Sequence, residues 1–336
     1  MVQGQYASVD AYGQAEAVSA MCPLDPFLGV QMKSTPRMLA SLPGFSTLIG
    51  GAFAAVALGS CGFAHASISV PQAAGMRAIS SAAYESTNWS GYADSASGGY
   101  AFNSVSATWT QPAVTTQSSS SYVAASFWVG LDGFNSNTVE QTGTQAVLGA
   151  NGQMQYTAWY ELYPQVEIPV FDVNSGDKIS ASVTYNPGSN NYTFKISDLT
   201  SNQSYSITTV NSYTTQAARS SAEWIVESPE FGTSSGSYQL ATLANYGSFS
   251  FNNAAASISG NGLTQSGSIS DVAANGAATV NSITLVDGKT FQALSTPGVL
   301  SDNGTSFTTV YSPEPASSAL LALAATGLLI RRRRGG

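Results

Sequence analysis

The side chains best placed to do chemistry are glutamates that alternate with aromatic residues. Trp159, Glu161 and Tyr163 are spaced two residues apart, so on an extended strand they point to one side of the sheet. Glu223 and Glu227 share a strand face in the same way. A carboxylate among large rings is partly desolvated and suits proton transfer. These spacings favour a cleft with carboxylates, the alternative for each glutamate being a solvated outer face.

Other hydrolytic chemistry is excluded by residue types that the mature region lacks. The chain's single histidine is His65, and its two cysteines are Cys22 and Cys61. All three lie in or before a predicted secretion signal. This excludes a Ser-His-Asp triad, a Cys-His pair and any zinc site built on imidazole or thiolate. We therefore expect no metal and no cofactor, and hydrolysis would have to use carboxylates, amides, hydroxyls or lysines.

The segments that carry these residues are predicted to be strands. Residues 178–185 alternate apolar and polar side chains, the turn 186–190 (Asn-Pro-Gly-Ser-Asn) follows, and Tyr192, Phe194 and Ile196 keep the same spacing. This pattern indicates an antiparallel meander, and it continues through Tyr205 and Ile207. Similar runs occur at 104–110, 122–129, 155–163, 222–227, 248–251 and 280–286. We therefore predict an all-β fold, either two packed sheets or a closed barrel, with loops at 114–121 and 232–237.

The N-terminal region has the features of a secretory signal. An apolar, small-residue stretch at 45–63 follows Lys33 and Arg37 and precedes the small-x-small site Ala64-His65-Ala66. Residues 1–66 are therefore predicted to be an extension and a signal peptide. Met32 is an alternative start to Met1, and residues 58–61 (Leu-Gly-Ser-Cys) loosely fit a lipoprotein cleavage box.

The C-terminal residues 312–336 form a second addressing segment. Pro313-Glu314-Pro315 precedes an uncharged stretch at 316–330, and four arginines follow at 331–334. Fifteen helical residues span about 22 Å, short of the roughly 30 Å hydrocarbon core, so this helix suits transient passage through the inner membrane. The positive-inside rule keeps the arginines in the cytoplasm. The order of features resembles the PEP-CTERM sorting tail, which exosortase-type transpeptidases process in Gram-negative bacteria. A plain tail anchor is the alternative.

The charge of the mature region limits its partners. Residues 67–312 contain five basic and fifteen acidic residues. Nucleic-acid binding requires a basic patch that neutralises phosphates, so it is not expected. Composition marks no break within this region, which favours one domain.

Six short motifs occur in order along the mature chain. They are Asn88–Tyr92 (NWSGY), Val105–Trp109 (VSATW), Trp128–Gly133 (WVGLDG), Glu140–Gly143 (EQTG), Ala158–Pro164 (AWYELYP) and Ala222–Glu227 (AEWIVE). Together they resemble the glutamic peptidases of the eqolisin family, also called peptidase family G1, over about residues 86–310. The resemblance implies a jelly-roll-like antiparallel β-sandwich of two packed seven-stranded sheets. It also implies an endopeptidase that acts in acid without metal.

The resemblance further assigns residue roles. Gln141 is implied to be the catalytic glutamine and Glu227 the catalytic glutamate. The residues implied to line the cleft are Trp89, Trp128, Asp132, Trp159, Glu161 and Tyr163. Ionised Glu227 would take a proton from water and pass it to the leaving nitrogen, while the Gln141 amide would stabilise the oxyanion. The chain departs from the fungal pattern in its lack of disulfide cysteines, in Glu140, where an apolar residue is common, and in Ser228-Pro229 after Glu227.

We therefore predict residues 67–84 as a leader or linker and 85–311 as the peptidase sandwich. The protein is expected to be a monomer that is secreted or held at the surface of a Gram-negative cell and acts on polypeptides. One alternative is a carbohydrate-active jelly roll that uses Glu161 and Glu227 as its carboxyl pair. Another is an inactive adhesin or lectin on the same fold. The sequence leaves open the cleavage specificity, the pH optimum, the natural substrate, a pro-segment role for 67–84, and release or attachment after tail processing.

Overall fold

A computed structural model describes residues 68–69, 75–80, 82–116, 122–210, 217–232 and 237–313. The predicted signal peptide and the sorting tail from residue 314 lie outside the described residues. Within the described ranges, no helix is both long enough and apolar enough to cross a membrane.

The described chain is built almost entirely from strands, as predicted. In chain order they are β1 (Ile68–Ser69), β2 (Arg77–Ser80), β3 (Ala83–Ser86), β4 (Trp89–Ala96), β5 (Tyr100–Thr110), β6 (Val123–Leu131), β7 (Val139–Leu148), β8 (Met154–Tyr163), β9 (Ile168–Asp172), β10 (Lys178–Asn186), β11 (Asn191–Asp198), β12 (Gln203–Val210), β13 (Ser221–Glu227), β14 (Glu230–Gly232), β15 (Tyr238–Leu240), β16 (Thr242–Leu243), β17 (Ser248–Gly260), β18 (Leu263–Gly267), β19 (Ala278–Val286), β20 (Ala293–Pro297) and β21 (Phe307–Tyr311). One short helix, α1 (Ile269–Val272), and two 3₁₀ turns (Ala274–Gly276 and Asp302–Gly304) complete the described elements.

Strand pairing produces two layers that are joined through β17. The larger layer runs in the order β9-β8-β7-β6-β13-β4-β19-β3-β2, and β20 and β21 extend it from β19. Its pairings are antiparallel except for β3 with β19 and β16 with β6, which are parallel. The smaller layer runs β12-β11-β10-β5-β17-β18 and is antiparallel. A separate small sheet has the order β1-β14-β15.

The strand count differs from the two seven-stranded sheets that the resemblance implied. The smaller layer has six strands, and short edge strands enlarge the other. One strand, β17, belongs to both layers. Residues 248–251 pair with β21 in the larger layer. From Asn252 onward, with a register shift before Ala255, β17 pairs with β5 and then β18. Such a shift bends a strand, which lets it pass from one layer to the other.

The main hydrophobic core lies between the two layers. Side chains from β6, β8 and β13 meet side chains from β5, β10 and β11. The rings of Tyr160 and Phe194 lie 5.5 Å apart between centroids. Trp224 on β13 is fully buried, and its Nε1 donates to the carbonyl oxygen of Ser106 on β5 at 3.0 Å. The layers are therefore held by apolar packing and by a hydrogen bond that crosses between them.

The predicted strand alternation is confirmed. Tyr160 and Trp224 belong to the core between the layers. Their chain neighbours Trp159 and Ile225 belong to a second buried cluster on the opposite face of the larger layer. The central strands of this layer therefore send alternate side chains to two buried faces, and the glutamates of β8 and β13 lie on the second face.

Part of the range predicted as a leader pairs with the folded domain. β1 pairs with β14, β2 pairs with β3, and β3 pairs with β19. Arg77 on β2 forms an ion pair with Glu85 on β3. Met76 and Tyr84 pack against the second cluster, where the Tyr84 ring meets Phe134 edge-on at 5.0 Å. The described residues before Glu85 therefore contribute to covering the second face.

Trp224→Ala should strongly destabilise the protein because it empties a large core volume and leaves the Ser106 carbonyl without its donor. We expect a loss of about 3–5 kcal/mol in the free energy of unfolding. Val310→Ala, at a residue that is 49% exposed, is the control and should change it by less than about 0.5 kcal/mol. Urea titration followed by tryptophan fluorescence measures both. Equal effects would show that the layers do not depend on this contact.

Candidate active site

The second face of the larger layer presents its side chains in three rows across β4, β13, β6, β7 and β8. The strand register defines them. The first row is Ala93, Glu223, Gly130, Gln141 and Glu161; the second is Gly91, Ile225, Trp128, Gly143 and Trp159; the third is Trp89, Glu227, Ser126, Gln145 and Thr157. The first and third rows are mainly polar, and the second is mainly aromatic and apolar.

Glu227 is a fully buried carboxylate with well-defined hydrogen bonds. Trp128 Nε1 donates to its Oε2 at 2.8 Å, and Asn88 Nδ2 donates to its Oε1 at 3.0 Å. Ser86 orients Asn88, since its hydroxyl donates to Asn88 Oδ1 at 2.9 Å. Burial raises the pKa of Glu227 well above the ordinary glutamate value, and the Trp128 and Asn88 hydrogen bonds offset this only in part. A glutamate in this setting binds protons strongly, and once ionised it is a strong base.

The strand end at Glu227 is fixed by its neighbours. Glu227 is the last residue of β13, and the next residue, Ser228, donates its N–H to the Asn88 carbonyl oxygen at 2.9 Å. The Ser228 hydroxyl donates to the Ala241 carbonyl oxygen at 2.6 Å. Of these two bonds, only the hydroxyl bond depends on the serine side chain, so Ser228 adds one anchor at the strand end.

Gln141 and Glu161 form a second buried polar pair on the same face. They lie opposite each other on β7 and β8, and Gln141 Nε2 donates to Glu161 Oε2 at 2.8 Å. Both side chains are fully buried. An amide nitrogen carries two N–H groups, so holding one of them on a carboxylate fixes the direction of the other.

Glycines on this face make room for the tryptophans. A Cβ atom at Gly143 would lie 2.2 Å from the Phe127 carbonyl oxygen and 2.5 Å from Trp128 Cβ. At Gly130 it would lie 2.9 Å from the Trp128 ring. The absence of these side chains lets the Trp128 ring lie between the first and third rows, where it meets Trp89 edge-on at 5.0 Å between ring centroids. The position of the Trp128 N–H against Glu227 therefore depends on small neighbours.

The structure brings most of the predicted site residues together. Gln141, Glu161 and Glu227 share the second face, and so do the aromatic residues Trp89, Trp128, Trp159 and Tyr163. Gln141 and Glu227 are in different rows. By register, the β13 residue in line with Gln141 is Glu223, and Glu227 lies four residues further along the strand.

Asp132, which the resemblance predicted to line the cleft, bonds to the segment that precedes β13. It follows β6 with a positive φ of 70°. Its carboxylate accepts the backbone N–H groups of Arg219 and Ser220 at 2.6 and 2.8 Å, and the Ser220 hydroxyl at 2.9 Å. Through these bonds the Asp132 carboxylate holds the segment that leads into β13. Asp132 therefore positions the strand that carries Glu227.

Several residues of this face were not identified from the sequence. They are Asn88, Ser126, Gln145 and Glu167. Asn88 precedes Trp89 within a recognised motif, and this position could have identified it. Ser126 and Gln145 have the same strand parity as Trp128 and Gln141, so alternation could have identified these two. Glu167 lies between β8 and β9, where no periodic pattern applies, and no sequence signal points to it.

The chain is similar to known proteins over most of the described fold. A family model described as the Peptidase A4 family matches residues 87–294, which include every predicted site residue. Aspergillopepsin-2 of Aspergillus niger is 35% identical over 139 residues, covering 40% of this chain and 47% of that protein. Scytalidopepsin B of Scytalidium lignicola is 34% identical over 139 residues, covering 40% of this chain and 50% of that protein. The chain thus spans about half the length of the curated relatives it matches.

A solved structure gives the corresponding result for the fold. The crystal structure of scytalido-glutamic peptidase with a transition state analog inhibitor is 26% identical, with a TM-score of 0.54. The match covers 67% of this chain and 98% of that chain.

Further carboxylates are buried near the first row. Burial raises the pKa values of Asp94, Glu140 and Glu223 well above their ordinary values, and the charge of Asp132 adds to the effect on Glu140 and Glu223. The carboxyl oxygens of Asp94 and Glu140 are buried without a hydrogen-bond partner. Burial therefore favours the neutral form of these groups in the folded protein, so they ionise at higher pH there than in the unfolded chain. Among the described residues, no cluster of three or more His, Cys, Asp or Glu could hold a metal ion.

Stability should decrease as the pH rises above about 4. These carboxyls ionise near pH 4 in the unfolded chain but only at higher pH in the folded protein, so ionisation favours unfolding. The effect should extend to about pH 8, because burial raises the pKa of Glu167 to about 8. In strong acid, stability should instead decrease as the pH falls. The Ser268 N–H lowers the pKa of Asp271 in the folded protein, so protonation of Asp271 favours unfolding. Urea midpoints between pH 3 and 8.5 measure the dependence.

Glu140→Gln is the matched variant for this dependence. The substitution keeps the shape of the side chain but removes its ionisation, so the decrease in stability between pH 4 and 8 should become shallower than in the wild type. Stability that rises with pH over this range in the wild type would contradict the assignment of neutral buried carboxyls.

Proposed function

Because this chain belongs to the Peptidase A4 family, we propose that it hydrolyses peptide bonds at the buried face that carries Glu227 and Gln141. The observation that carries the proposal is the state of Glu227, a fully buried carboxylate held by two N–H donors on the same sheet face as an oriented amide. The similarity to aspergillopepsin-2 and scytalidopepsin B supports peptidase chemistry.

Glu227 acts as the general base and then as the general acid. Ionised Glu227 removes a proton from the water that attacks the scissile carbonyl carbon. The protonated carboxyl then gives this proton to the leaving nitrogen as the tetrahedral intermediate collapses. A high pKa suits both steps, because the ionised form is a strong base and the protonated form persists until the nitrogen needs the proton. Trp128 and Asn88 hold both oxygens in place throughout.

Gln141 stabilises the negative charge that develops on the carbonyl oxygen. Its amide can donate without carrying a charge, and its bond to Glu161 orients it before the substrate arrives. A second ionised carboxylate at this position would repel the oxyanion. Glu161 is therefore a positioning residue for Gln141 in this mechanism.

The proposed activity is confined to acid by two opposing effects. Glu227 must lose its proton to act as a base, and because its pKa is raised, the acidic limb of the pH profile should lie above pH 4.5. Towards neutral pH, ionisation of the buried carboxyls destabilises the fold. Activity should therefore be highest in weak acid.

Substrate access requires side chains to move. Gln141, Glu161 and Glu227 are fully buried in this structure. Met76 and Tyr84 pack against the aromatic cluster of the same face, so a polypeptide must displace side chains of this kind to reach Glu227.

We further propose a monomer that is exported by its N-terminal signal and processed by an exosortase at its C-terminal tail, a proposal that the sequence alone supports.

Product analysis of the full-length protein tests the proposed reaction. Acid-denatured casein or a similar protein should release soluble peptides at about pH 5–6, above the acidic limb. Polysaccharides should release no reducing sugar. Chelators and thiol reagents should leave the rate unchanged, since the proposed mechanism uses neither metal nor thiolate. Release of reducing sugar without release of peptides would instead support a carbohydrate-active enzyme.

Glu227→Gln should reduce peptide release to background because the amide cannot accept a proton from water. The new amide also places a nitrogen against either Trp128 Nε1 or Asn88 Nδ2, both of which are donors, so the thermal midpoint is measured alongside the rate. The expected result is a folded, inactive protein. Peptide release at wild-type rates would refute the role of Glu227.

Gln141→Glu tests the oxyanion role more sharply than Gln141→Ala. Gln141→Ala removes one donor and should lower kcat by roughly 10²–10³ with little change in KM. In Gln141→Glu, two carboxyls would face each other across the 2.8 Å contact with Glu161, so they would share a proton only in acid. Residual activity should therefore shift to lower pH. Wild-type activity at every pH would make Gln141 a structural residue.

A further inference from the structure

The third row contains polar atoms that the proposed mechanism does not use. Ser126 Oγ, Gln145 Oε1 and Glu167 Oε2 are all buried and have no hydrogen-bond partner. Ser126 is fully buried, and Gln145 is 2% exposed. Leaving such atoms unpaired costs free energy, so a cluster of them beside a proposed active site points to a ligand that would pair them.

The three side chains lie next to Glu227. On β13, β6 and β7, the residues Glu227, Ser126 and Gln145 are direct neighbours across the sheet. Glu167 reaches them from the connection between β8 and β9, where Ile168 at the start of β9 pairs with Tyr160. Gln145 Nε2 donates to Glu167 Oε1 at 2.5 Å. This bond fixes both side chains and leaves the other oxygen of each in the same site.

The protonation of Glu167 decides what these two oxygens offer. Burial raises the pKa of Glu167 to about 8, and the Gln145 hydrogen bond only partly opposes this. In acid, Glu167 is therefore a neutral carboxylic acid. Because its Oε1 accepts from Gln145, its proton belongs on Oε2, which becomes a donor. Gln145 Oε1 remains an acceptor beside it.

A donor and an acceptor side by side are the complement of a primary amide. The carbonyl oxygen of such an amide would accept from Glu167 Oε2–H, and one of its N–H groups would donate to Gln145 Oε1. Ser126 Oγ can take the second N–H group. We propose that Ser126, Gln145 and Glu167 form a substrate subsite that selects an asparagine or glutamine side chain of the polypeptide. This inference rests on the proposed peptidase function and adds the class of residue that the site selects.

The charges around this subsite agree with an uncharged ligand in acid. The titratable groups of the second face on the neighbouring strands are Glu161 and Tyr163 on β8, Asp172 on β9, and Glu223 and Glu227 on β13; β14 adds Glu230. Burial also raises the pKa values of Tyr163, Glu227 and Glu230. A lysine side chain would need Glu167 to ionise first, so a preference for lysine in place of the amide is the competing outcome of the test.

Matched peptides test the subsite. Glutamine, methionine or lysine is placed in turn at each position around the cleaved bond, and kcat/KM is measured at pH 5. At one position the wild type should cleave the glutamine peptide roughly 10- to 100-fold better than the methionine peptide, as expected for two or more hydrogen bonds. A ratio near one at every position, or a preference for lysine, would overturn the proposal.

Variants at Glu167 distinguish the contribution of its hydrogen bonds from that of its size. Glu167→Gln replaces the carboxyl O–H with an amide N–H, so the preference for the glutamine peptide should persist and should not depend on pH. Glu167→Leu should abolish it. In the wild type the preference in binding, measured by titration calorimetry, should decrease towards pH 8.5 as Glu167 loses its proton. Asp302→Asn, which removes a charge from an exposed 3₁₀ turn, is the control and should keep the wild-type ratio and its pH dependence. A preference that survives in Glu167→Leu would contradict the assignment.

The subsite can be tested even if the proposed peptidase function fails. If no peptide is cleaved, the peptidase proposal fails, and binding of the same peptides to the wild type at pH 5 is then measured by titration calorimetry. The subsite predicts tighter binding of the glutamine peptide by the same 10- to 100-fold. Equal binding of the glutamine and methionine peptides would refute the subsite whatever the fate of the catalytic assignment.

Discussion

The whole arrangement depends on one sheet that is buried on both faces. Half of the side chains of the larger layer pack against the smaller layer in an ordinary apolar core. The other half, on the same strands, place Glu161, Glu223 and Glu227 out of contact with water. Because strand alternation ties the two faces together, the apolar core fixes the position of every polar side chain opposite to it. A carboxylate such as Glu227 is thus held by the packing of Trp224 and Val226 as much as by its own hydrogen bonds.

Burial of carboxyls also links the fold to pH. A buried carboxyl without a cation nearby is stable only when it is neutral. Among the described residues, the only ion pair is the one between Arg77 and Glu85, which joins β2 and β3. Glu140 is the clearest case, because it faces the apolar core at a position where the family commonly has an apolar residue. In acid it behaves as a polar but uncharged side chain. The same condition that protonates Glu140 also allows Glu167 to act as a hydrogen-bond donor.

The sequence predicted more of the fold than of the contacts within the candidate site. Alternation correctly placed Glu161 on the same face as Trp159, and Glu223 on the same face as Glu227, since period two needs only local sequence. Contacts between distant segments were not predictable in this way. Asn88 reaches Glu227 across 139 residues of sequence, and Trp128 reaches it across 99. The positive φ of Asp132 and its bonds to the segment before β13 likewise depend on tertiary structure.

The row of aromatic residues between the two polar rows restricts how a peptide bond could react. Gln141 belongs to the first row and Glu227 to the third, with Trp128 and its small neighbours Gly130 and Gly143 between them. In the proposed mechanism the carbonyl oxygen must point to Gln141 while the attacking water contacts Glu227, so the scissile carbon has to lie over the Trp128 ring. In that mechanism the Trp128 N–H would hold the proposed base, and the face of its ring would support the reacting bond. A larger side chain in place of either glycine would move that surface, which explains why two glycines lie in strands that otherwise favour branched and aromatic residues.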